Sequence, residues 1–347
     1  MRNTVSSIIQ KAGMSFLALS FAALCMAQEG TKQLQYWGSP ENYLSAQGTI
    51  LLENVDKAFD LYPPSTKYSF PRKQALLNFD AVVHNTFYDS TSHLRDFAAV
   101  RVRKVLADLD KPMGKGARFY KIYNDGFIIR TKDLTFAVDL NGRAGQILSD
   151  ELVRQLVSHC SGLFITHNHS DHYDMNVVDE FKAQNKPIYA IDEFRPDDPE
   201  IIHCYPPIAG KSKDINVLLG GKNMAVKIFP GHQDNLQCNN YVFYLPNGYT
   251  VAHIGDQYNE KDMPMIDGFN KEVKLDVLIM ECWINDEPRS IAGYNPRLIL
   301  SGHENEIGHT IDHREAFWLS YYKMEEVHKV TTPYVIMGWG EWFTYKR

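Results

Sequence analysis

A layered α/β architecture, two sheets with helices packed outside them, is the fold class that this 347-residue sequence predicts. Three observations carry the expectation. Residues 40–110 read as helical, with apolar residues at mixed spacings of three and four. A charged boundary with one proline and two glycines, Asp-Lys-Pro-Met-Gly-Lys-Gly at 110–116, then changes the texture to short apolar runs separated by turns. Those runs come in two successive batches, with helical periodicity between them.

Residues 1–27 read as a signal peptide: Arg2 and Lys11 supply the positive region, 14–27 supply a short apolar run, and Cys25-Met26-Ala27 is a small-x-small cleavage site. The run is too short for a comfortable membrane span, so no stable span is expected after cleavage, and the mature chain is expected to be exported, periplasmic or secreted. Residues 28–110 form an N-terminal helical extension. Its periodicity rests on Leu76, Leu77 and Ala81, then on Leu94, Phe97, Val100 and Val105, after a Tyr-Pro-Pro-Ser break at 62–65.

Residues 111–347 form the second region. Strands are predicted at 118–123, 127–130 and 134–139, joined by turn residues 124–126 and 132–133. A helix over 146–158 precedes an apolar strand at 163–165. A helix over 175–184 comes next, with Asp174 as its N-cap. Further strands are predicted at 188–191, 215–219, 225–229, 241–245, 250–254, 275–280 and 297–300. A helix over 312–326 and a strand over 333–337 close the chain.

Composition narrows the function classes. Aromatic residues at 12% speak against disorder. The net charge is −6, with no long basic run, so nucleic acid is not an expected partner. Five cysteines are present, Cys25, Cys160, Cys204, Cys238 and Cys282. None forms a CxxC pair, so a cysteine-based zinc ribbon is not indicated. Four would survive cleavage and are expected mostly as buried, reduced thiols.

The stretch Thr-His-Asn-His-Ser-Asp-His-Tyr-Asp at 166–174 carries the chemistry. It sits at the end of a predicted strand, and an extended backbone would turn His167 and His169 to one side. Asp171 and His172 could aim at a second position as the chain turns toward the next helix. Imidazole nitrogen and carboxylate oxygen suit zinc, and also manganese or iron. Three more residues stand at other strand ends: His232 in Phe-Pro-Gly-His-Gln-Asp, Asp256 in His-Ile-Gly-Asp-Gln, and His303 in Leu-Ser-Gly-His-Glu. Five histidines and two aspartates suffice for two ions if one aspartate bridges them. His309 and His313 compete with His303, which is preferred because it follows an apolar strand and a glycine. His253 is read as structural.

This series, T-H-N-H-S-D-H with the later G-H, G-D and G-H, resembles the metallo-β-lactamase superfamily in its broad hydrolase sense, over residues 118–340. The resemblance implies a four-layer αβ/βα sandwich with a dinuclear centre between its sheets. His167, His169 and His232 would hold one ion, Asp171, His172 and His303 the other, and Asp256 would bridge. Asp171 could also handle a proton. Asp139 fits the place of a carboxylate that orients a ligating histidine. Two divalent ions, zinc first and manganese or iron as alternatives, would share a hydroxide for attack on an ester, lactone, amide or phosphodiester bond. A small-molecule substrate is expected only from this hydrolase reading. Superfamily members that cleave β-lactams generally lack a bridging aspartate, so that reaction is less favoured. The local string is similar to the lactonase and phosphodiesterase branches. The other readings are a di-iron oxidoreductase of the same fold and a non-catalytic exported binder of metal or ligand.

Overall fold

The computed structural model describes residues 40–86, 92–208 and 210–347. The expected signal peptide lies outside them. The chain divides into two compact units, Met1–Ile50 and Leu51–Arg347. Of the first, the described residues are the opening turns of helix α1 (Pro40–Leu61). Among the described residues, the second unit holds every strand and all the other helices.

Two further helices, α2 (Phe70–Val83) and α3 (Ser92–Leu109), precede the first strand. Ser69 caps α2 by accepting from the Arg72 N–H, and Pro71 occupies its first turn, where no backbone donor is needed. The first sheet has the order β14-β1-β2-β3-β4-β5-β6, with β1 (Ala117–Tyr123), β2 (Gly126–Arg130), β3 (Thr135–Val138), β4 (Leu163–Phe164), β5 (Ile188–Ala190), β6 (Ile201–His203) and β14 (Glu341–Tyr345). Helices α4 (Asp150–His159, capped by Ser149) and α5 (Met175–Ala183, capped by Asp174) cross between its parallel strands. The second sheet has the order β13-β12-β11-β10-β9-β8-β7. Its strands are β7 (Lys213–Leu219), β8 (Lys222–Gln233), β9 (Leu236–Tyr244), β10 (Thr250–His253), β11 (Val277–Glu281), β12 (Leu298–Gly302) and β13 (Tyr334–Val335). Helices α6 (Met263–Glu272) and α7 (Glu287–Tyr294) lie in the connections β10–β11 and β11–β12.

Period-two alternation places the layers. On β2, Phe127 and Ile129 pack between the sheets with Ile228, Phe243, Val251 and Ile279, whereas Ile128 faces the opposite way, into the cluster shared with α1 to α5. On the second sheet, Val242, Ala252 and Leu278 face outward onto Ile266, Phe269 and Ile291 of α6 and α7. The order helices, sheet, sheet, helices is the αβ/βα sandwich that the sequence led us to expect.

The amino-terminal helices also reach the far end of the chain. Arg72 makes a buried bidentate pair with Glu341 of β14, at 2.8 and 2.7 Å. Asp80 on α2 accepts from the backbone N–H groups of Phe317 and Trp318 and from the Asn305 amide. Arg314 donates back to the carbonyls of Val83 and Thr86. The loop 303–318, which begins at a candidate ligand, is therefore tied to the helices before the sandwich.

Several elements differ from expectation. The helix expected at 312–326 is instead a 3-10 turn (Ile311–His313), a short helix α8 (Phe317–Tyr321) and a π-helical turn (Tyr322–Val327). Strand β8 runs to Gln233, four residues past the expected end, because its hairpin with β9 keeps pairing through Gln233↔Leu236. Strand β6, strand β14 and helices α6 and α7 had no clear pattern in the sequence. The four described cysteines are unpaired and buried. Among the described residues no helix is long and apolar enough to cross a membrane.

Candidate metal centre

The 166–172 segment leaves β4 and is fixed before it reaches the centre. Its Thr166 carbonyl accepts from the Asn239 N–H, and His167 bridges to Cys238 at the start of β9. Asn141 holds the turn through the Ser170 and Tyr173 carbonyls, and Asn124 donates to the Asp171 carbonyl at 3.3 Å. Asp174 caps α5 and also accepts from the Gly142 and Ala144 N–H groups. The β3–α4 loop and the motif are thus one hydrogen-bonded unit.

Side-chain partners set the imidazole tautomers. Asp139, at a left-handed φ of 48°, accepts from the Thr166 N–H (2.8 Å) and the Thr166 hydroxyl (2.6 Å). Its Oδ2 also lies 2.9 Å from His172 Nδ1, so that nitrogen carries the hydrogen and donates. The Thr166 hydroxyl hydrogen is spent on Asp139, so its oxygen accepts from His167 Nδ1 at 3.0 Å. One carboxylate thereby leaves the Nε2 lone pairs of both His167 and His172 directed away from itself.

Those lone pairs meet Asp256. Its Oδ1 is 3.0 Å from His172 Nε2, and its Oδ2 is 3.6 Å from His167 Nε2 and 3.4 Å from His303 Nε2. Asp171 Oδ2 is 3.0 Å from His303 Nε2 and 3.4 Å from His172 Nε2. Two groups result, Asp171, His172, Asp256 and His303 in one, and His167, His169 and Asp256 in the other, with Asp256 common to both. The His303 backbone takes φ 66°, directly after Gly302, which turns its ring inward.

The electrostatics are set by this crowding. Burial would raise Asp171 and Asp256, but His172 and His303 hold both well below the usual carboxylate range. Burial would lower His172 and His303, but the carboxylates of Asp256 and Asp171 outweigh it and raise both. Burial, with His172 beside it, pushes His167 down to about 3. Positive charge is thus favoured beside Asp171 and Asp256.

The donor set fits metal ions. The buried Nε2 atoms of His167 and His172 and Oδ1 of Asp256 have no hydrogen-bond partner, although they converge on one place. Buried polar atoms left so carry a desolvation penalty unless something satisfies them. A divalent cation, bound by imidazole and carboxylate, does so.

Six of the seven residues singled out in the sequence are brought together. His232 is not. Its Nδ1 lies 3.0 Å from Asp262 Oδ1 and its Nε2 3.2 Å from the Tyr205 hydroxyl, outside both groups. The side chain of the next residue, Gln233, donates to Asp256 Oδ2 at 3.1 Å instead. The physical reason is the longer β8: in an extended strand, neighbouring residues face opposite sides. His309 stands nearby, its ring 5.7 Å from that of His303, but in neither group. His253 accepts from the Gly255 N–H and donates to the Asp125 carbonyl within a third buried group, Asp125, Asp139 and His253.

Sequence reading missed Glu315, which approaches His303 Nδ1 (3.6 Å) and His309 Nδ1 (3.5 Å) and is pushed down to about 2, burial being outweighed by those two imidazoles. It arrives on the loop after His303, with no motif to mark it. Asp262 and Gln233 were also missed. Trp283 places its indole N–H 3.3 Å from His303 Nδ1 and packs on Tyr258 at 5.2 Å.

No family model matches this sequence, and no curated protein is similar to it in sequence. Solved structures are similar in fold. Igni18, a novel metallo hydrolase from the hyperthermophilic archaeon Ignicoccus hospitalis KIN4/I, superposes with a TM-score of 0.52 at 14% identity, covering 67% of this chain and 100% of that one. CmlA, a diiron β-hydroxylase from Streptomyces venezuelae, gives 0.49 at 12% identity over 74% of this chain and 60% of its own. A metallo-β-lactamase from Pontibacter korlensis gives 0.30 at 16% identity over 46% and 84%. The likeness to Igni18 is one of fold.

Proposed function

We propose that this protein is a hydrolase dependent on two divalent metal ions, acting on an ester, lactone, amide or phosphodiester bond of a small molecule. The observation that carries the reading is the buried Asp256 carboxylate, shared by two imidazole groups whose inward nitrogens lack partners. His167, His169 and Asp256 would hold one ion, and Asp171, His172, Asp256 and His303 the other. Zinc is the first expectation for such nitrogen and oxygen donors, with manganese or iron as alternatives. Ions held there supply Lewis acidity and bring the pKa of a bound water down to roughly 7.

The chain's own residues do the rest. Asp139 fixes the His172 ring directly and that of His167 through Thr166, so that each would turn its Nε2 toward an ion. Asp171, whose Oδ2 lies 3.0 Å from His303 Nε2, would also take or return a proton. Trp283 and His309 lie beside the His303 ring, with Tyr258 packed on Trp283, and would contact substrate. Helix α2 serves this centre by bracing the 303–318 loop through Asp80 and Arg314. Export through the 1–27 segment belongs to the same reading, and mature protein beginning at Gln28 is its test.

Elemental mass spectrometry of the purified protein decides the metal. About two equivalents of zinc or manganese, with turnover of a lactone, phosphodiester, thioester or β-lactam in a substrate panel, is the expected result. Two equivalents of iron with no hydrolysis would favour the oxidoreductase reading. No metal after reconstitution at neutral pH would remove the hydrolase reading.

A further inference from the structure

We infer that Gln233, not His232, is the side chain that β8 delivers to the first metal position, so that an amide stands where a third imidazole was expected. The inference rests on the two-metal reading. His232 has no nitrogen to spare. Nδ1 faces Asp262, which is itself held by the Gln257 amide at 2.7 Å, and Nε2 faces the Tyr205 hydroxyl. Gln233 has the opposite arrangement. Its Nε2 donates to Asp256 Oδ2, the oxygen that faces His303 and, alone of the two, His167, while its Oε1 is buried without a partner.

Register makes the choice between the two residues exclusive. His232 pairs with Gln237 and Gln233 with Leu236 on β9, so the two side chains leave opposite sides of one ribbon. A slip of one residue would exchange them. Gly231 forbids that slip. A side chain at its place would run into Gln257 Oε1 and Asn240 Oδ1, and either Pro230 or His232 would bring one there. Asn240 is held in turn, by Gln257 and by the Tyr294 hydroxyl.

The amide can present either end. Its terminal torsion is broad and nearly two-fold, so a half-turn puts Oε1 where Nε2 now meets Asp256. A neutral carbonyl oxygen is a harder, weaker donor to zinc than imidazole and suits manganese or magnesium better. The first position should therefore bind its ion more loosely, and with less preference for zinc, than the second.

The test is calorimetric titration of the full chain with Zn2+ and with Mn2+, and metal content after dialysis, for wild type, Gln233→Ala, His232→Ala and Gln233→His. Wild type should bind two ions of unequal affinity. Q233A should weaken the looser ion about 10- to 100-fold and leave the tighter one, whereas H232A should retain both. Q233H should tighten zinc at the loose position, a gain that a merely structural glutamine would not give. Loss of the loose ion in H232A with both ions kept in Q233A overturns the assignment and leaves the two-metal reading standing. A wild-type chain that takes up no ion overturns both.

Discussion

Asp171, His172 and His303 meet Asp256 inside the protein, all of them buried, whereas on the other side of the same carboxylate His169 is only partly covered and a glutamine stands in for a histidine. The two sides also differ in charge. The second group carries an extra carboxylate, Asp171, and imidazoles held raised by their neighbours. The first carries His167, pushed down to about 3, burial first and His172 second, and His169, lowered chiefly by burial. One fold end thus holds a charged, enclosed position and a more neutral, more open one. Ligand count alone does not make two adjoining positions equivalent; the neighbours of the ligands set how tightly each holds an ion.

The largest effect expected is the loss of that distinction. Asp256→Ala removes the residue common to both groups, and metal content should fall from about two equivalents to below one, with activity gone. Retention of two ions would show that the groups do not share a carboxylate. Asp139→Asn comes next. It weakens the hydrogen bond that fixes His172 and the relay through Thr166 to His167, and should cost about 10- to 100-fold in metal affinity on both sides.

Proton release separates the two sides more finely. His172 and His303 are raised above the ordinary imidazole value, so an ion entering the second group must displace their protons, and its affinity should fall as pH drops through their raised range. His167, pushed down to about 3, is already neutral near pH 7, so the first group should release little. Calorimetry in two buffers of different ionisation enthalpy reads this directly: a buffer-dependent step for the tighter ion and a nearly buffer-independent one for the looser. Equal release at both steps would contradict the contrast.

Smaller effects test the periphery. Gly231→Ala should lower thermal stability by about 1–3 kcal/mol, the range for overpacking a tight site, and should disturb the first position before the second. His309→Ala should leave metal content unchanged, because His309 belongs to neither group; a lost equivalent would make it a ligand in place of His303. Its effect should be confined to turnover.

The sequence determined what neighbouring residues settle among themselves. Thr166 to His172 are close in the chain, so their meeting needs only one strand end and one turn. Asp174 caps the next helix by local hydrogen bonding, and the apolar run Phe127, Ile128 and Ile129 marked a strand, whose burial on both faces the structure then showed. The later candidate ligands Asp256 and His303 were legible because each follows an apolar strand and a glycine. Strand β14 and helices α6 and α7 were not, since their patterns are short or interrupted by polar residues.

Only the tertiary structure decided between His232 and Gln233. The two differ by one position on a strand with a two-residue period, and the side that faces Asp256 is set by where the β8–β9 hairpin turns and by how Gly231 packs against Asn240 and Gln257. It likewise brought Glu315 to His303, and Asp80 to the backbone of Phe317, 237 residues away along the chain. Contacts of that separation leave no periodicity in the chain; they exist because the sandwich brings strand ends, a returning loop and an early helix to one edge.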